Sequence, residues 1–293
     1  MTTIGLSLSG ERFPRCVSGQ IEEIALVRSE YLFREKGVYP TRDNALGIVA
    51  EYLETLMDEF NGPIWFRTLD VDTAEANVLD GCEKEIVEKD RLRGLRGIRR
   101  SMRYPDAFES ELLALSEVWN ERLGVVVPFV STVTEAEWAI KKINHFLPRA
   151  SVGIMLEIPS LLFMLEEIAS LGYERVIVGL NDFGSLYMGT VRKVQLPTGI
   201  PLELVRGLQH ICESARRNNL EVVVAGYLNA AVVDVCCDVG VDLVSIHYVD
   251  LPSILEVDAR DLRDFEHLSS VKMKTRQDIS EYNRVHNVHQ TIY

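Results

Sequence analysis

Val152-Gly153-Ile154-Met155-Leu156-Glu157-Ile158-Pro159, followed by Arg175-Val176-Ile177-Val178-Gly179-Leu180-Asn181-Asp182, decides how this chain reads. Each stretch is a short apolar run that ends in a carboxylate. Runs rich in Val and Ile with little polar alternation fit strands buried on both faces, as in a parallel sheet. The same pattern recurs at Ile24–Val27, Ile64–Phe66, Val125–Val130, Val152–Ile158, Arg175–Val178, Glu221–Ala225 and Asp242–His247, and another early strand falls within Thr3–Ser9. Amphipathic helices lie between them. Val133, Ala136, Ile140, Ile143 and Leu147 share one helical face, with Thr132 and Glu135 forming a capping box ahead of it. Leu204, Leu208, Ile211 and Ala215 repeat the pattern, and Asn229 suits the cap of a helix ending at Gly240. Strand–helix alternation implies right-handed βαβ units. About eight strands, and no GxGxxG after the first, favour a single parallel (β/α)8 TIM barrel over an open doubly wound sheet.

A length of 293 residues suits one such barrel. The expected division is a barrel over residues 1–268 and a polar C-terminal tail over 269–293, which lacks a clear apolar period and either hangs loose or docks on a partner subunit. No apolar run is long enough to cross a membrane. The start lacks the basic flank and apolar stretch of a signal peptide, so a cytoplasmic location is expected. The net charge of −13 offers no footprint for nucleic acid. Five cysteines without CxxC spacing read as reduced thiols.

In a parallel barrel the chemistry sits at the C-terminal strand ends. Glu157 and Asp182 lie about 25 residues apart, on strands adjacent in the sheet, so their side chains can converge. Two carboxylates with waters and substrate oxygens make a typical Mg2+ site, although each carboxylate equally suits capping the helix that follows it. A chain this acidic that binds an anion must place its arginines locally. Arg67, Arg96, Arg99 and Arg192 are the candidates, since a guanidinium fork matches carboxylate or phosphate; a surface ion pair is the bland alternative for any one of them. Of six histidines only His247 falls at a strand end, and the others read as core or surface residues. No GxSxG, HExxH or P-loop pattern occurs.

In order and spacing these segments resemble the C-terminal phosphoenolpyruvate/pyruvate-binding barrel of the phosphoenolpyruvate-utilising enzymes: phosphoenolpyruvate synthase, pyruvate phosphate dikinase and enzyme I of the sugar phosphotransferase system. The resemblance runs from about residue 1 to residue 260. It rests on Ile24–Phe33, on Arg67-Thr68-Leu69-Asp70 with Glu75-Ala76-Asn77 and Asp80-Gly81, on Gly94-Leu95-Arg96-Gly97-Ile98-Arg99, on Gly153–Pro159, and on Gly179-Leu180-Asn181-Asp182-Phe183 with Arg192 downstream. It implies that Glu157 and Asp182 hold Mg2+, with Mn2+ as the alternative metal. It implies that Arg67, Arg96 and Arg192 bind phosphoryl and carboxylate oxygens, that Asn181 and Gly179 help place the substrate, and that the barrel forms a homodimer.

Two departures limit the resemblance. Where the family has a C-G-E segment, whose cysteine moves a proton at the substrate methylene carbon, this chain has Ala225-Gly226-Tyr227. Alanine cannot transfer a proton, and Tyr227 is the available substitute. The N-P-x-L-G lead-in is replaced by Asp90-Arg91-Leu92-Arg93-Gly94. The barrel is expected to stand without the family's ATP-binding and phosphohistidine domains, and phosphoryl transfer is then expected to need a separate ATP-grasp or phosphohistidine protein. Three functions follow as expectations: a Mg2+-dependent transferase acting on phosphoenolpyruvate, pyruvate or a related 2-oxo acid; a Mg2+-dependent lyase or aldolase working through a pyruvate-type enolate, as in citrate-lyase-like barrels; and a non-catalytic ligand-binding subunit.

Overall fold

The computed structural model describes residues 2–191, 200–226 and 228–286. Eight strands run in chain order around one closed, all-parallel barrel. They are β1 (Thr3–Leu8), β2 (Glu23–Arg28), β3 (Ile64–Arg67), β4 (Leu123–Val127), β5 (Val152–Leu156), β6 (Arg175–Gly179), β7 (Glu221–Ala225) and β8 (Leu243–His247). The ring closes where β1 pairs with β8, from Thr3 opposite Leu243 to Ser7 opposite His247. The Ser7 and Ser245 hydroxyls, 2.6 Å apart, pair across that seam. The chain is thus the expected (β/α)8 barrel.

Alternation along each strand sorts side chains into two cores. One set, including Leu26, Trp65, Val126, Met155, Ile177, Val223 and Leu243, fills the barrel interior. The other faces the surrounding helices, such as Arg42–Glu59, Val133–Phe146 and Leu202–Arg217. The bulk of Trp65 is accommodated by Gly124, where a Cβ would stand 2.5 Å from the indole. At the N-terminal end of the barrel Arg175 lies 4.0 Å from the Trp65 ring. Its guanidinium donates to Glu23 at 2.5 and 2.9 Å and, through Nε, to Glu221 at 2.8 Å.

The expected helix signals act as read. Thr132 and Glu135 form a reciprocal capping box, Asn229 caps the helix Ala230–Val239, and Gly240 closes it in the left-handed conformation. Two strands stop earlier than the sequence suggests. β4 ends at Val127 because Pro128 has no N–H to continue the ladder and Phe129 turns to φ 56°. β5 ends at Leu156, and Glu157 leaves the ladder.

The polar stretch read as a tail folds, through residue 285, into the helix His267–Val285. Leu268, Val271 and Thr275 are its buried residues, and Leu268 and Val271 pack on Tyr31. Two buried apolar side chains over five turns are too few to register as a period in the sequence, yet they dock the helix. It lies at the C-terminal mouth of the barrel and is called the mouth helix below. Among the described residues no helix is long and apolar enough to cross a membrane.

Candidate active site

The C-terminal strand ends surround a cavity of about 540 Å3. Arg28, Arg67, Gly179, Ala225 and His247 reach it from the last positions of β2, β3, β6, β7 and β8. Glu157 follows β5 by one residue, and Asn181 and Asp182 sit in the first turn of the helix Leu180–Met188. Neither carboxylate caps a helix: the residues at the caps are Ile158 and Gly179, and no side-chain capping bond forms at either. The capping alternative therefore falls away for both.

Charges at the cavity floor are interlocked. Arg67 Nη2 lies 2.5 Å from Glu30 Oε1 and 3.2 Å from Asp70 Oδ2, and its Nη1 lies 4.0 Å from Glu157. Arg96 donates to both oxygens of Asp70, at 2.7 and 3.0 Å, and approaches Asp182 to 4.0 Å. Its guanidinium stacks 4.1 Å from the Phe129 ring. Phe129 carries a second duty, because its N–H donates to Glu157 Oε2 at 3.0 Å. Its left-handed backbone, a costly conformation for an aromatic residue, aims both the N–H and the ring at the site. Gly97 lets the Arg96 segment approach: a Cβ there would lie 2.8 Å from Phe129 Cβ and 2.9 Å from the Pro128 carbonyl oxygen. Gly179 leaves space for Glu157, whose Cγ would be 2.6 Å from an added Cβ.

This packing sets the protonation of the carboxylates. Burial, together with the charges of Asp70 and Asp182, pushes Glu157 up to about 8. Burial acts to raise Asp70 too, but Arg96 and then Arg67 overcome it and hold that carboxyl well below the usual range. A divalent cation between Glu157 and Asp182 would relieve the crowding of negative charge that raises Glu157. Among the described residues no set of three or more His, Cys, Asp or Glu gathers as a metal site. A pair of carboxylates beside open space is nonetheless the donor set that Mg2+ uses, since it keeps several waters and substrate oxygens as ligands. The residues present fit Mg2+ or Mn2+.

Of the residues expected from sequence, Arg67, Arg96, Glu157, Gly179, Asn181 and Asp182 all line the one cavity. Arg99 does not; its Nη2 donates instead to the Leu92 carbonyl. Arg192 and Tyr227 lie outside the described residues. Ala225 lines the cavity, and no cysteine does among the described residues. Sequence reasoning assigned no role to Arg28, Glu30, Asp70 or His247. Arg28 was findable, since it occupies a strand end just as Arg67 does. Its Nη1 stands 3.2 Å from each ring nitrogen of His247.

Residues 11–260 match the sequence profile described as "PEP-utilising enzyme, PEP-binding domain". The chain belongs to this family. Relatives include phosphoenolpyruvate synthase of Pyrococcus furiosus, 24% identical over 271 residues, which cover 85% of this chain and 33% of that protein. Another is a protein of Salmonella typhimurium named for the phosphoenolpyruvate-dependent phosphotransferase system, 25% identical over 233 residues, covering 72% and 29%. The chain thus spans about a third or less of the length of these relatives. Among solved structures, an HpcH/HpaI aldolase/citrate lyase family protein from Burkholderia cenocepacia superposes with a TM-score of 0.53 at 12% identity, covering 84% of this chain and 88% of that one. That likeness concerns the barrel fold alone. Within the PEP-utilising family, the matched region contains every strand end that lines the cavity from β2 to β8, but not the mouth helix.

Proposed function

We propose that this barrel is a Mg2+-dependent enzyme that binds phosphoenolpyruvate, pyruvate or a related 2-oxo acid and stabilises its enolate form. The observation that carries this reading is the convergence of Glu157 and Asp182 on one cavity, with Arg67 within 4.0 Å of the first and Arg96 within 4.0 Å of the second. Glu157 and Asp182 would hold the metal, which supplies Lewis-acid stabilisation of enolate oxygen charge when bound. Arg67 and Arg96 bind and orient the carboxylate or phosphoryl oxygens. Both are already fixed by Asp70 and by stacking or ion pairing, so little reorganisation is needed when the ligand arrives. Asn181 donates its side-chain amide to the same oxygens.

In the transferase form of this reading, the phosphoryl group passes to or from a separate phosphohistidine or ATP-grasp protein. A second reading, a lyase that joins or cleaves a carbon–carbon bond at the enolate, is favoured by one observation. The β7 end presents Ala225, which offers no proton to the enolate carbon, so an electrophile other than a proton has room there. Cleavage of a 4-hydroxy-2-oxo acid would separate the lyase from the transferase.

Oxalate mimics the planar pyruvate enolate and tests the ground shared by both readings. Titration calorimetry should show Mg2+-dependent oxalate binding that is abolished by Glu157→Gln combined with Asp182→Asn. Unchanged binding in that double variant refutes the site assignment.

A further inference from the structure

We propose that Lys272 and Arg276 of the mouth helix form a second anion-binding subsite, so that the ligand is a 2-oxo or enol acid bearing another carboxylate or phosphate at its far end. This deepens the proposed function and rests on it for the near end of the ligand.

The mouth helix presents one continuous stripe to the barrel. Leu268, Val271, Lys272, Thr275, Arg276 and Ile279 follow the spacing that places residues on a single helical face. Its first part is apolar and docks on Tyr31. Where the stripe reaches the cavity it changes character, and Lys272, Thr275, Arg276 and Ile279 become part of the lining. From Lys272 to Ile279 the helix advances about 10 Å, enough to lie across the mouth. It is pinned at several points. A ring nitrogen of His267 bonds the Ser9 carbonyl at 3.0 Å, and Lys274 Nζ donates to the Glu35 carbonyl at 2.9 Å. The cationic stretch is therefore held in position over the cavity.

Charge accounting points the same way. The buried guanidinium groups of the cavity are engaged by carboxylates of the chain, Arg28 by Glu30, Arg67 by Glu30 and Asp70, Arg96 by Asp70 and Arg34 by Glu75, and the half-exposed Arg91 pairs with Asp72. Arg276 makes no hydrogen bond or ion pair with any described residue. In a chain of net charge −13, a lysine and an arginine turned together toward a cavity run against the global field and raise the local concentration of anions. Size agrees as well. A cavity of about 540 Å3 falls in the range of about 300–1,000 Å3 that takes drug-sized ligands, far more than a three-carbon acid fills.

The test is titration calorimetry with the full chain and Mg2+, using two pairs that differ in replacing the far anionic group by a methyl group. The first compares 2-oxoglutarate with 2-oxopentanoate, and the second compares phosphonopyruvate with 2-oxobutanoate. At least one doubly anionic acid should bind about tenfold or more tightly than its singly charged partner, and the pair that responds identifies the far group as carboxylate or phosphate. Lys272→Gln with Arg276→Gln should erase that preference, and Arg276→Gln alone, a change at an exposed side chain, should reduce it. The proposal is overturned if neither pair shows a preference, or if the preference survives in the double variant. Failure of the unaltered chain to bind oxalate would instead refute the metal-site reading, and the pairwise comparison would still decide the role of the mouth helix.

Discussion

Replacing Glu111 with glutamine should flatten the pH dependence of this protein's stability. Glu111 lies on the helix Pro105–Glu117 and is fully buried. Its Oε1 accepts from Ser29 Oγ at 2.8 Å and its Oε2 from the Leu69 N–H at 2.9 Å. Burial outweighs those two donors and pushes the carboxyl up to about 8. The folded protein at neutral pH therefore keeps a proton that an unfolded glutamate, with a pKa of about 4.3, has released. Where the folded state binds more protons, stability falls as pH rises. The loss is about 1.4 kcal/mol per pH unit between about 4.3 and 8, with a ceiling of about 5 kcal/mol above that window. Glutamine has no proton to lose. Its carbonyl accepts from Leu69, and its amide donates to Ser29 Oγ once that hydroxyl rotates. The stability of Glu111→Gln relative to the unaltered protein should thus climb by about 1.4 kcal/mol per unit from pH 5.5 to 8 and then level off. Urea unfolding of both proteins across pH 5.5 to 9 measures this, and comparing the two removes the contribution of other titrating groups. A constant difference over that range refutes the reasoning. The site would feel the outcome, because Leu69 is the backbone neighbour of Asp70, which holds both Arg67 and Arg96.

Arg175→Met should lower the thermal midpoint by about 6 °C or more. It strands the buried Glu23 carboxylate at a cost of about 3–5 kcal/mol, and calorimetric unfolding with a shift of 1 °C or less would contradict it. Gly97→Ala should weaken Mg2+-dependent oxalate binding by about tenfold or more, because the new Cβ displaces Arg96 from Phe129; titration calorimetry showing unaltered affinity would contradict it.

The barrel was legible because its strands are buried on both faces, so that each reads as a continuous apolar run. Glu157 and Asp182 stood out for the same reason, as carboxylates at the ends of such runs. What stayed hidden depends on contacts between distant segments. Nothing near Phe129 in the chain announces a left-handed backbone that serves Arg96 and Glu157 together. Pairing of Arg28 with His247 needs β2 and β8 to meet at the cavity, which only closure of the ring arranges. The mouth helix escaped notice because Lys272, Thr275 and Arg276 interrupt its stripe between the apolar residues that dock on Tyr31 and Ile279.

The seam between β1 and β8 has a consequence for how the molecule assembles. Seven of the eight strand pairs join neighbours in the chain, but Thr3 must find Leu243, some 240 residues away. Any form of the chain in which that seam is open has β1 and β8 as bare edges, and bare edges are prone to pairing with other chains. Ligand binding is then a reporter of ring closure, because Arg28 and His247 reach the cavity from opposite sides of the seam. During refolding, helix content should recover before the capacity to bind oxalate, which needs the closed ring; simultaneous recovery of the two would contradict this.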